Sequence, residues 1–339
     1  MNNKRKTGII GCGSIFHTHV AAINSLCISD ITAVCDIRED RLNDAAKLCP
    51  GAKRYTDYKK LLSESDAEVI HICTPHYLHA EMAIAALMSG HDVYLEKPCA
   101  MNPPEAKKII DASDKSGRKV CVSFQNRLVN TTAEAKKIAE SGSMGKLLGA
   151  KGIVTWHREG AYYTDSGWRG NFATEGGGVL MNQSIHTLDL MYYFLGEAES
   201  VRGAAFLNKN FDVTEVEDTA EAYIKFKSGA SGIFYATNCN VADSPIELEL
   251  YFEKGSLLIR NDTLYRCIGD EFTAICKNEN IIDGKKYWGN GHVRMISSFY
   301  SALSGGNDYY CDIRDAVQVL DIISEIYKNS EIKPPYLKI

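Results

Sequence analysis

Two short motifs combine residue types suited to redox chemistry. The first, at residues 7–20, reads TGIIGCGSIFHTHV, so an apolar strand runs into a glycine turn and then into a helix start. A dinucleotide pyrophosphate can sit at such a place, on exposed backbone N–H groups. The second, at residues 94–98, reads YLEKP and puts an acid and an amine at the end of another apolar strand. Together they predict a nicotinamide cofactor with Lys97 beside its reactive ring.

The glycine turn is the first part of the predicted cofactor site. Gly11 and Gly13 fit a tight turn and the close approach of a phosphate, and Ser14 and Ile15 open the helix that follows. The third position of the G-x-G-x-x-G pattern is Phe16, so the fingerprint is incomplete. A plain strand–helix turn is the alternative interpretation.

An acid after the second predicted strand strengthens this prediction. Asp36 lies where a carboxylate can accept hydrogen bonds from the adenosine ribose hydroxyls. A carboxylate also repels a 2′-phosphate, so NAD is favoured over NADP. Arg38 is a cation two residues later and leaves NADP open as the less favoured cofactor. The alternative for Asp36 is an ordinary turn residue.

Further predicted cofactor residues follow the next strands, at the carboxyl edge where open α/β sheets bind ligands. Thr74 and Pro75 are predicted near the cofactor ribose or pyrophosphate, with His79 at the following helix start. Glu96 is predicted to hold the nicotinamide ribose, which leaves Lys97 facing the nicotinamide. For His79 an ordinary polar helix residue is the alternative, and for Lys97 a solvated side chain.

The order of predicted elements indicates two domains. Over residues 1–125, short apolar strands alternate with helices, which predicts an α/β domain with a doubly wound parallel sheet. Over residues 126–339, strands with period-2 alternation follow one another, which predicts a mainly antiparallel sheet. A helix over residues 181–195 precedes most of these strands. A last helix, at residues 313–328, is expected to pack back on the body.

Composition and charge exclude several classes. The chain has 339 residues, of which 45% are hydrophobic and 24% charged, as in a soluble globular protein. A net charge of −5 does not indicate binding to nucleic acid or to an anionic membrane. Without a long apolar run or a signal peptide, a cytoplasmic protein with no membrane span is expected. The 11 cysteines lack C-x-x-C spacing, so reduced thiols are expected, with no metal site.

Three segments, in order along nearly the whole chain, resemble the family of glucose–fructose oxidoreductase, inositol 2-dehydrogenase and rhizopine-catabolism proteins (Gfo/Idh/MocA). They read GIIGCGSIFHTH, then CTPHYLHAEMAIAAL followed by YLEKP, then GWRGNFATEGGGVLMNQSIHTLDL at residues 167–190. The resemblance implies a Rossmann domain followed by an α/β domain with a large open sheet. Members commonly oligomerise through that sheet, and a bare sheet face needs covering, so a homodimer or homotetramer is expected.

The resemblance also implies roles for particular residues. Lys97 matches the lysine beside the reacting carbon, and His186 matches the usual acid/base. Asn182 falls where many members have aspartate, and Asp189 matches the trailing acid of the same helix. Spacing alone puts the last three on one face of the predicted helix. Its apolar neighbours favour buried polar function, with a satisfied core histidine as the alternative.

Other matched segments imply contacts with the cofactor and the substrate. The segment with Gln125 and Arg127 resembles the one that joins the domains, and the segment with Trp168 and Arg169 resembles one that approaches the cofactor. Polar and aromatic residues before the predicted helix are candidates for lining a polyol pocket. The predicted substrate-binding residues are Lys97, Arg127, His157, Tyr163, Asn182 and His186.

The predicted reaction is reversible hydride transfer between a carbinol of a sugar, glycoside or polyol and nicotinamide C4. His186 is predicted to take the hydroxyl proton, Lys97 to stabilise the alkoxide, and Asn182 to position the hydroxyl or the base. The M-N-Q-x-I-H pattern resembles members that act on glycosides, nucleotide sugars or anhydrosugars. Two alternatives stay open: an NAD-dependent glycosidase that oxidises C3 transiently, and a dinucleotide sensor without catalysis.

Overall fold

The chain folds into two units, each built around one sheet. A computed structural model describes residues 4–210, 212–279 and 289–337. The first unit comprises Met1–Gln125 and Gly291–Val317, and the second comprises Asn126–Asn290 and Gln318–Ile339. Among the described residues, no helix is both long and apolar enough to cross a membrane.

The first unit contains a six-stranded parallel sheet. Its strands are β1 (Arg5–Ile10), β2 (Ser29–Cys35), β3 (Lys53–Tyr55), β4 (Val69–Ile72), β5 (Asp92–Leu95) and β6 (Val120–Val122). They lie in the order β3-β2-β1-β4-β5-β6, the doubly wound order predicted from the alternation of strands and helices. In register, Ile10 pairs with Ile72, and Ile72 pairs with Leu95. The residues that follow β1, β4 and β5 therefore meet at one edge.

Helices connect these strands, and local sequence explains where they begin and end. They are α1 (Ser14–Leu26), α2 (Glu39–Leu48), α3 (Tyr58–Glu64), α4 (His79–Met88) and α5 (Pro103–Ser116). At the start of α5 the side chain of Asn102 accepts a hydrogen bond from the backbone N–H of Glu105, and proline occupies the first helical position. Gly117 ends α5 with a φ of +68°, which a glycine adopts without steric cost.

The second unit contains an eight-stranded sheet. Its strands are β7 (Leu147–Thr155), β8 (Ala198–Phe206), β9 (Thr219–Phe226), β10 (Ser231–Thr237), β11 (Glu247–Phe252), β12 (Gly255–Arg260), β13 (Thr263–Ile268) and β14 (Glu271–Lys277). They lie in the order β14-β13-β12-β11-β7-β10-β9-β8. The β7–β10 pair is parallel, and the other pairs are antiparallel. The predicted mainly antiparallel sheet is confirmed.

The helices between residues 126 and 195 are α6 (Asn130–Glu140), α7 (Gly160–Thr164) and α8 (Ile185–Leu195). Of these, α6 packs against β12, β13 and β14, and α8 packs against β7. A Cβ atom on Gly152 of β7 would lie 2.8 Å from the Thr187 methyl group of α8, so glycine lets this helix lie directly on the strand. Along β9 and β10, buried residues alternate with exposed ones, which leaves the opposite face open.

Two sequence-based boundaries differ from the structure. The helix predicted over residues 181–195 begins only at Ile185, because the preceding residues are held in turns. The predicted second domain is not continuous, since α9 (Gly291–Leu303) belongs to the first unit, where it packs against α1. The last helix, α10 (Ile313–Lys328), has the predicted bounds. Its residues up to Val317 belong to the first unit, and those from Gln318 onward belong to the second.

Candidate active site

The glycine turn of the first unit has the geometry of a phosphate cradle. Gly11 has a φ of +96°, and a Cβ atom there would lie 2.6 Å from the carbonyl oxygen of Cys73, so only glycine fits. Next to Gly13, by contrast, the space is open, and the nearest heavy atom to a Cβ would be an Arg41 nitrogen at 3.9 Å. The exposed Ser14 and half-buried Ile15 begin α1, whose first backbone N–H groups lack helical partners. This cradle fits a dinucleotide pyrophosphate.

Asp36 braces the cradle from the end of β2. One carboxylate oxygen accepts from the backbone N–H of Cys12 at 2.8 Å, and the other accepts from the backbone N–H of Arg38 at 2.9 Å. The Arg38 guanidinium turns to Asp40, whereas Arg41 approaches Asp36 to 3.7 Å. Sequence reasoning did not select Arg41. Carboxylate oxygens can each accept a second hydrogen bond, so the ribose role of Asp36 stays a prediction.

Two buried polar atoms at the same edge lack a hydrogen-bond partner in the described part of the chain. They are the Thr74 hydroxyl, beside Pro75 after β4, and the Gln125 side-chain oxygen after β6. A buried polar atom without a partner costs free energy unless a ligand satisfies it, so both fit cofactor contacts. His79 is different, because its two ring nitrogens lie 2.7 Å from Pro98 O and 2.8 Å from Thr74 O. The structure therefore supports a bracing role for His79, not the predicted cofactor contact.

Glu96 and Lys97 directly follow β5 at this edge. Lys97 is half-buried, and Glu96 is 7% exposed. Glu96 Oε1 lies 2.9 Å from His19 Nε2 and 3.8 Å from His292 Nε2. Burial acts to raise the pKa of Glu96, but the hydrogen bonds from the two histidines outweigh it and hold that pKa well below its usual range. Glu96 is therefore an ionised group with a protein partner, and its ribose contact stays a prediction.

In the second unit, a buried carboxylate shapes the turn that precedes α8. Glu217 accepts hydrogen bonds from the backbone N–H groups of Gly178 and Leu180, at 2.9 Å each, and from the hydroxyl of Tyr327. A Cβ atom on Gly178 would lie 1.9 Å from Glu217 O, so the two backbones touch. These contacts hold residues 178–180 against Glu217, within the turns that precede α8.

Asn182 lies in this turn, so it does not share a helix face with His186 and Asp189 as predicted. Its side-chain NH2 donates to Glu175 Oε1 at 2.7 Å and to the hydroxyl of Tyr162 at 3.2 Å, which fixes the orientation of the amide. The fully buried Glu175 also accepts from the backbone N–H of Gly170 at 2.7 Å. Burial raises the pKa of Glu175 to about 7. A carboxyl group thus lies beside position 182, although residue 182 itself is neutral.

His186 and Asp189 lie on α8. His186 is 8% exposed, and Asp189 is fully buried. Asp189 accepts from Arg127 Nε at 2.9 Å and from Arg127 Nη2 at 2.6 Å, a bidentate ion pair with Arg127 only 1% exposed. The predicted substrate contact of Arg127 is not supported, because its guanidinium is buried on Asp189. The pair holds α8 to the segment that follows β6.

The remaining predicted residues lie between β7 and α8, Tyr163 on α7 and the others in loops. His157 Nδ1 is 2.7 Å from Asn240 O, and the Tyr163 hydroxyl accepts from Asn238 at 3.1 Å. The guanidinium of Arg169 lies 4.7 Å from the Trp168 ring and 4.6 Å from the Tyr162 ring, in cation–π geometry. Their cofactor and substrate contacts stay predictions. Two further polar residues, Gln183 and Asn238, join this cluster. Gln183 donates to the Tyr162 hydroxyl and accepts from the side-chain NH2 of Asn238.

The sheet order, the glycine cradle and the lysine at the strand end define an oxidoreductase with a dinucleotide-binding Rossmann domain. Residues 5–124 match the family described as oxidoreductase family, NAD-binding Rossmann fold. Residues 132–258 match the GFO/IDH/MocA C-terminal domain. The chain belongs to the Gfo/Idh/MocA family of oxidoreductases, as its three motifs indicated, and its first unit is an NAD-binding domain.

Relatives with known names are similar over most of their length. Levoglucosan dehydrogenase of Pseudarthrobacter phenanthrenivorans is 25% identical over 315 residues, which cover 81% of each chain. Myo-inositol 2-dehydrogenase of Thermotoga maritima is 24% identical over 259 residues, 76% of this chain and 75% of that one. WlbA dehydrogenase from Bordetella pertussis, whose crystal structure is a complex with NADH and UDP-GlcNAcA, is 26% identical in sequence. The two structures superpose over 96% of each chain with a TM-score of 0.84.

Proposed function

We propose that this protein is an NAD-dependent dehydrogenase or reductase acting on a CH–OH group of a sugar, glycoside or polyol. When bound, NAD supplies the acceptor or donor of the hydride. His186 exchanges the hydroxyl proton with the substrate as general acid and base. Lys97 stabilises the alkoxide charge, and Asn182 positions the hydroxyl. Because Asn182 is neutral, the proton transfer falls to His186.

The position of Lys97 carries this proposal. It is half-buried at the carboxyl end of β5, on the sheet edge where an NAD-binding domain holds its cofactor. A dinucleotide sensor needs no amine there, whereas a dehydrogenase uses one on the developing alkoxide. The fixed amide of Asn182 and the mostly buried His186 supply polar groups suited to a hydroxyl substrate. Relatives named for inositol and levoglucosan support a sugar or polyol.

The cofactor preference follows from Asp36 and Arg38. Asp36 stays at the end of β2 with its carboxylate on the glycine turn, where it disfavours a 2′-phosphate. The Arg38 guanidinium is paired with Asp40, which supports NAD over NADP. Arg41, 3.7 Å from Asp36, is the cation nearest to that carboxylate among the ion pairs of the described residues.

A cofactor-reduction screen tests the function. Purified protein is incubated with NAD or NADP and a panel of polyols, free sugars and glycosides, and nicotinamide absorbance and sugar products are followed. We expect net NADH with an oxidised sugar, formed faster from NAD than from NADP. Glycoside cleavage without net NADH would identify the glycosidase instead. NADH binding without turnover of any substrate would identify a sensor.

We also propose a homodimer or homotetramer assembled through the open face of the second sheet. Tyr223, Ile233 and Tyr235 lie there side by side on β9 and β10, with exposed fractions of 42%, 52% and 37%. Contiguous apolar area of this kind marks an interface. Ile233→Glu should shift the mass in light scattering towards the monomer, whereas Ile268→Glu, at an equally exposed position on β13, should not. An unchanged mass in Ile233→Glu would place the interface elsewhere.

A further inference from the structure

A chain of buried polar side chains runs through the first unit and ends at Glu96, directly before Lys97. Each of its side chains is more than nine-tenths buried, and consecutive members are within hydrogen-bond distance. We call it the buried chain, and it consists of Glu96, His19, His71, Tyr300, Thr7, Ser29 and the backbone carbonyl of Arg5. It draws on α1, β4, α9, β1 and β2, so distant parts of the sequence meet at one carboxylate.

The carbonyl at one end fixes the direction of the hydroxyl hydrogen bonds. Ser29 Oγ lies 2.7 Å from Arg5 O, and a carbonyl oxygen cannot donate, so Ser29 donates its only proton there. Thr7 must then donate to Ser29 across 2.5 Å, and Tyr300 must donate to Thr7 across 2.6 Å. Tyr300 has no proton left to give. His71 Nε2, 2.9 Å away, must therefore donate to Tyr300.

The imidazoles then need one proton more than two neutral rings carry. Three contacts each require a proton: His71 to Tyr300, His19 Nδ1 to His71 Nδ1 at 2.8 Å, and His19 Nε2 to Glu96 Oε1 at 2.9 Å. Two neutral imidazoles supply only two N–H groups. The third proton therefore resides on one of the rings or on Glu96.

The surroundings place that proton on His19. The histidine hydrogen bonds overcome the effect of burial and hold the pKa of Glu96 well below its usual range, so Glu96 is ionised. Burial, and then the charge of His19, lowers the pKa of His71 well below its usual range, so His71 is neutral. An imidazolium at His19 satisfies all three contacts and pairs directly with the buried carboxylate. A buried charge is stable only when it is paired in this way.

The other groups packed around the two rings do not compete for this charge. Burial raises the pKa of Tyr94, which stacks on His71 at 4.8 Å, and burial lowers the pKa of His292. Both therefore stay uncharged. The titratable groups that face the buried chain are Tyr94, Cys73, His292, Lys97, Arg5 and Glu68.

We propose that His19 is a positioning residue, kept as a buried imidazolium by the one-way hydrogen bonds of the buried chain, and that it holds Glu96 fixed and ionised beside Lys97. Because His19 neutralises Glu96, the end of β5 keeps the net positive charge of Lys97. That charge is what an alkoxide and a dinucleotide require. This last consequence rests on the proposed dehydrogenase function, whereas the protonation of His19 does not.

Histidine NMR of the full chain, without substrate, tests the protonation directly. With 15N-labelled histidine, two-bond correlations distinguish an imidazolium from either neutral tautomer, and His19→Gln and His71→Gln assign the two rings. We expect the wild-type His19 signal at neutral pH to be that of an imidazolium, with both ring nitrogens protonated, as the three contacts require. A His19 ring with one protonated nitrogen at neutral pH would overturn the proposal.

Variants far from Glu96 test whether the direction of the chain sets this charge. Thr7→Val and Ser29→Ala each release the proton of Tyr300, which can then donate back to His71, so two neutral rings satisfy every contact. Tyr300→Phe removes one of the three contacts. In all three variants the imidazolium should be lost at a proton concentration at least about tenfold higher than in the wild type, that is, at lower pH.

Matched variants complete the test. Thr7→Ser keeps the hydroxyl and should keep the wild-type titration. Tyr310→Phe removes a tyrosine hydroxyl of the same unit outside the buried chain and should also change nothing. Wild-type titration in both Thr7→Val and Ser29→Ala would refute the directional control. Because the signals are read without substrate, failure to find a sugar substrate would refute the proposed function and leave this test intact.

Discussion

Replacing Lys97 with methionine should lower kcat by about 10²- to 10⁴-fold and change the affinity for NADH by less than about threefold. Methionine keeps the length and the apolar contacts of the lysine stem but carries no charge. The alkoxide that forms as the hydride leaves would then lack its nearest cation. Turnover would be measured on a substrate found in the screen, and NADH affinity by fluorescence titration.

His186→Ala should show the same separation of turnover from cofactor affinity, because His186 is assigned to the hydroxyl proton and not to NAD. Lys108→Met, on the exposed face of α5, and His17→Gln, on the exposed side of α1, are the matched controls and should turn over as the wild type does. Near wild-type turnover in both Lys97→Met and His186→Ala would refute the assigned roles.

The cofactor edge could be predicted from the sequence because its signals are local. A short apolar strand, a glycine turn and a helix start appear together in one segment, and parallel strands bring their carboxyl ends to one edge. Gly11, Asp36, Thr74 and Glu96 therefore lie at the ends of their strands as expected. The doubly wound strand order alone determines which of these strand ends lie next to one another.

The features that sequence reasoning missed depend on contacts between distant segments. Glu217 captures the turn before α8 from a position about forty residues later, and no local pattern marks that capture. His292 and Tyr300 reach the first sheet from a helix near the end of the chain, so the domain boundary was drawn without them. Among these residues, only Glu175 carried a local sequence signal, because an acid directly before three glycines indicates a carboxyl group at a tight turn.

The contacts of Arg127 favour a different task from the one predicted. A substrate contact was predicted for Arg127 from the resemblance of its segment to the one that joins the domains in the family. The structure instead buries its guanidinium against Asp189, with both hydrogen bonds under 3 Å. Removing one partner of a buried ion pair leaves an uncompensated charge, whereas replacing both with apolar residues is often neutral. Single and double variants therefore distinguish a structural pair from a substrate-binding arginine.

Arg127→Met should lower the free energy of unfolding of the second unit by about 3–5 kcal/mol, because it removes the guanidinium that donates two hydrogen bonds to the buried carboxylate of Asp189. The double variant Arg127→Met/Asp189→Leu should recover most of that loss. Tryptophan fluorescence in urea reports on this unit, since Trp156 and Trp168 both lie in its described residues.

The exposed pair Lys227–Glu197 is the control, and Lys227→Met should have little effect because water screens both charges. If Arg127 acts only through Asp189, the double variant should also keep KM for the substrate within about twofold of the wild type. A large rise in KM in a double variant of normal stability would restore Arg127 to the substrate site. The opposite result would fix its task as holding α8, and with it His186, in place.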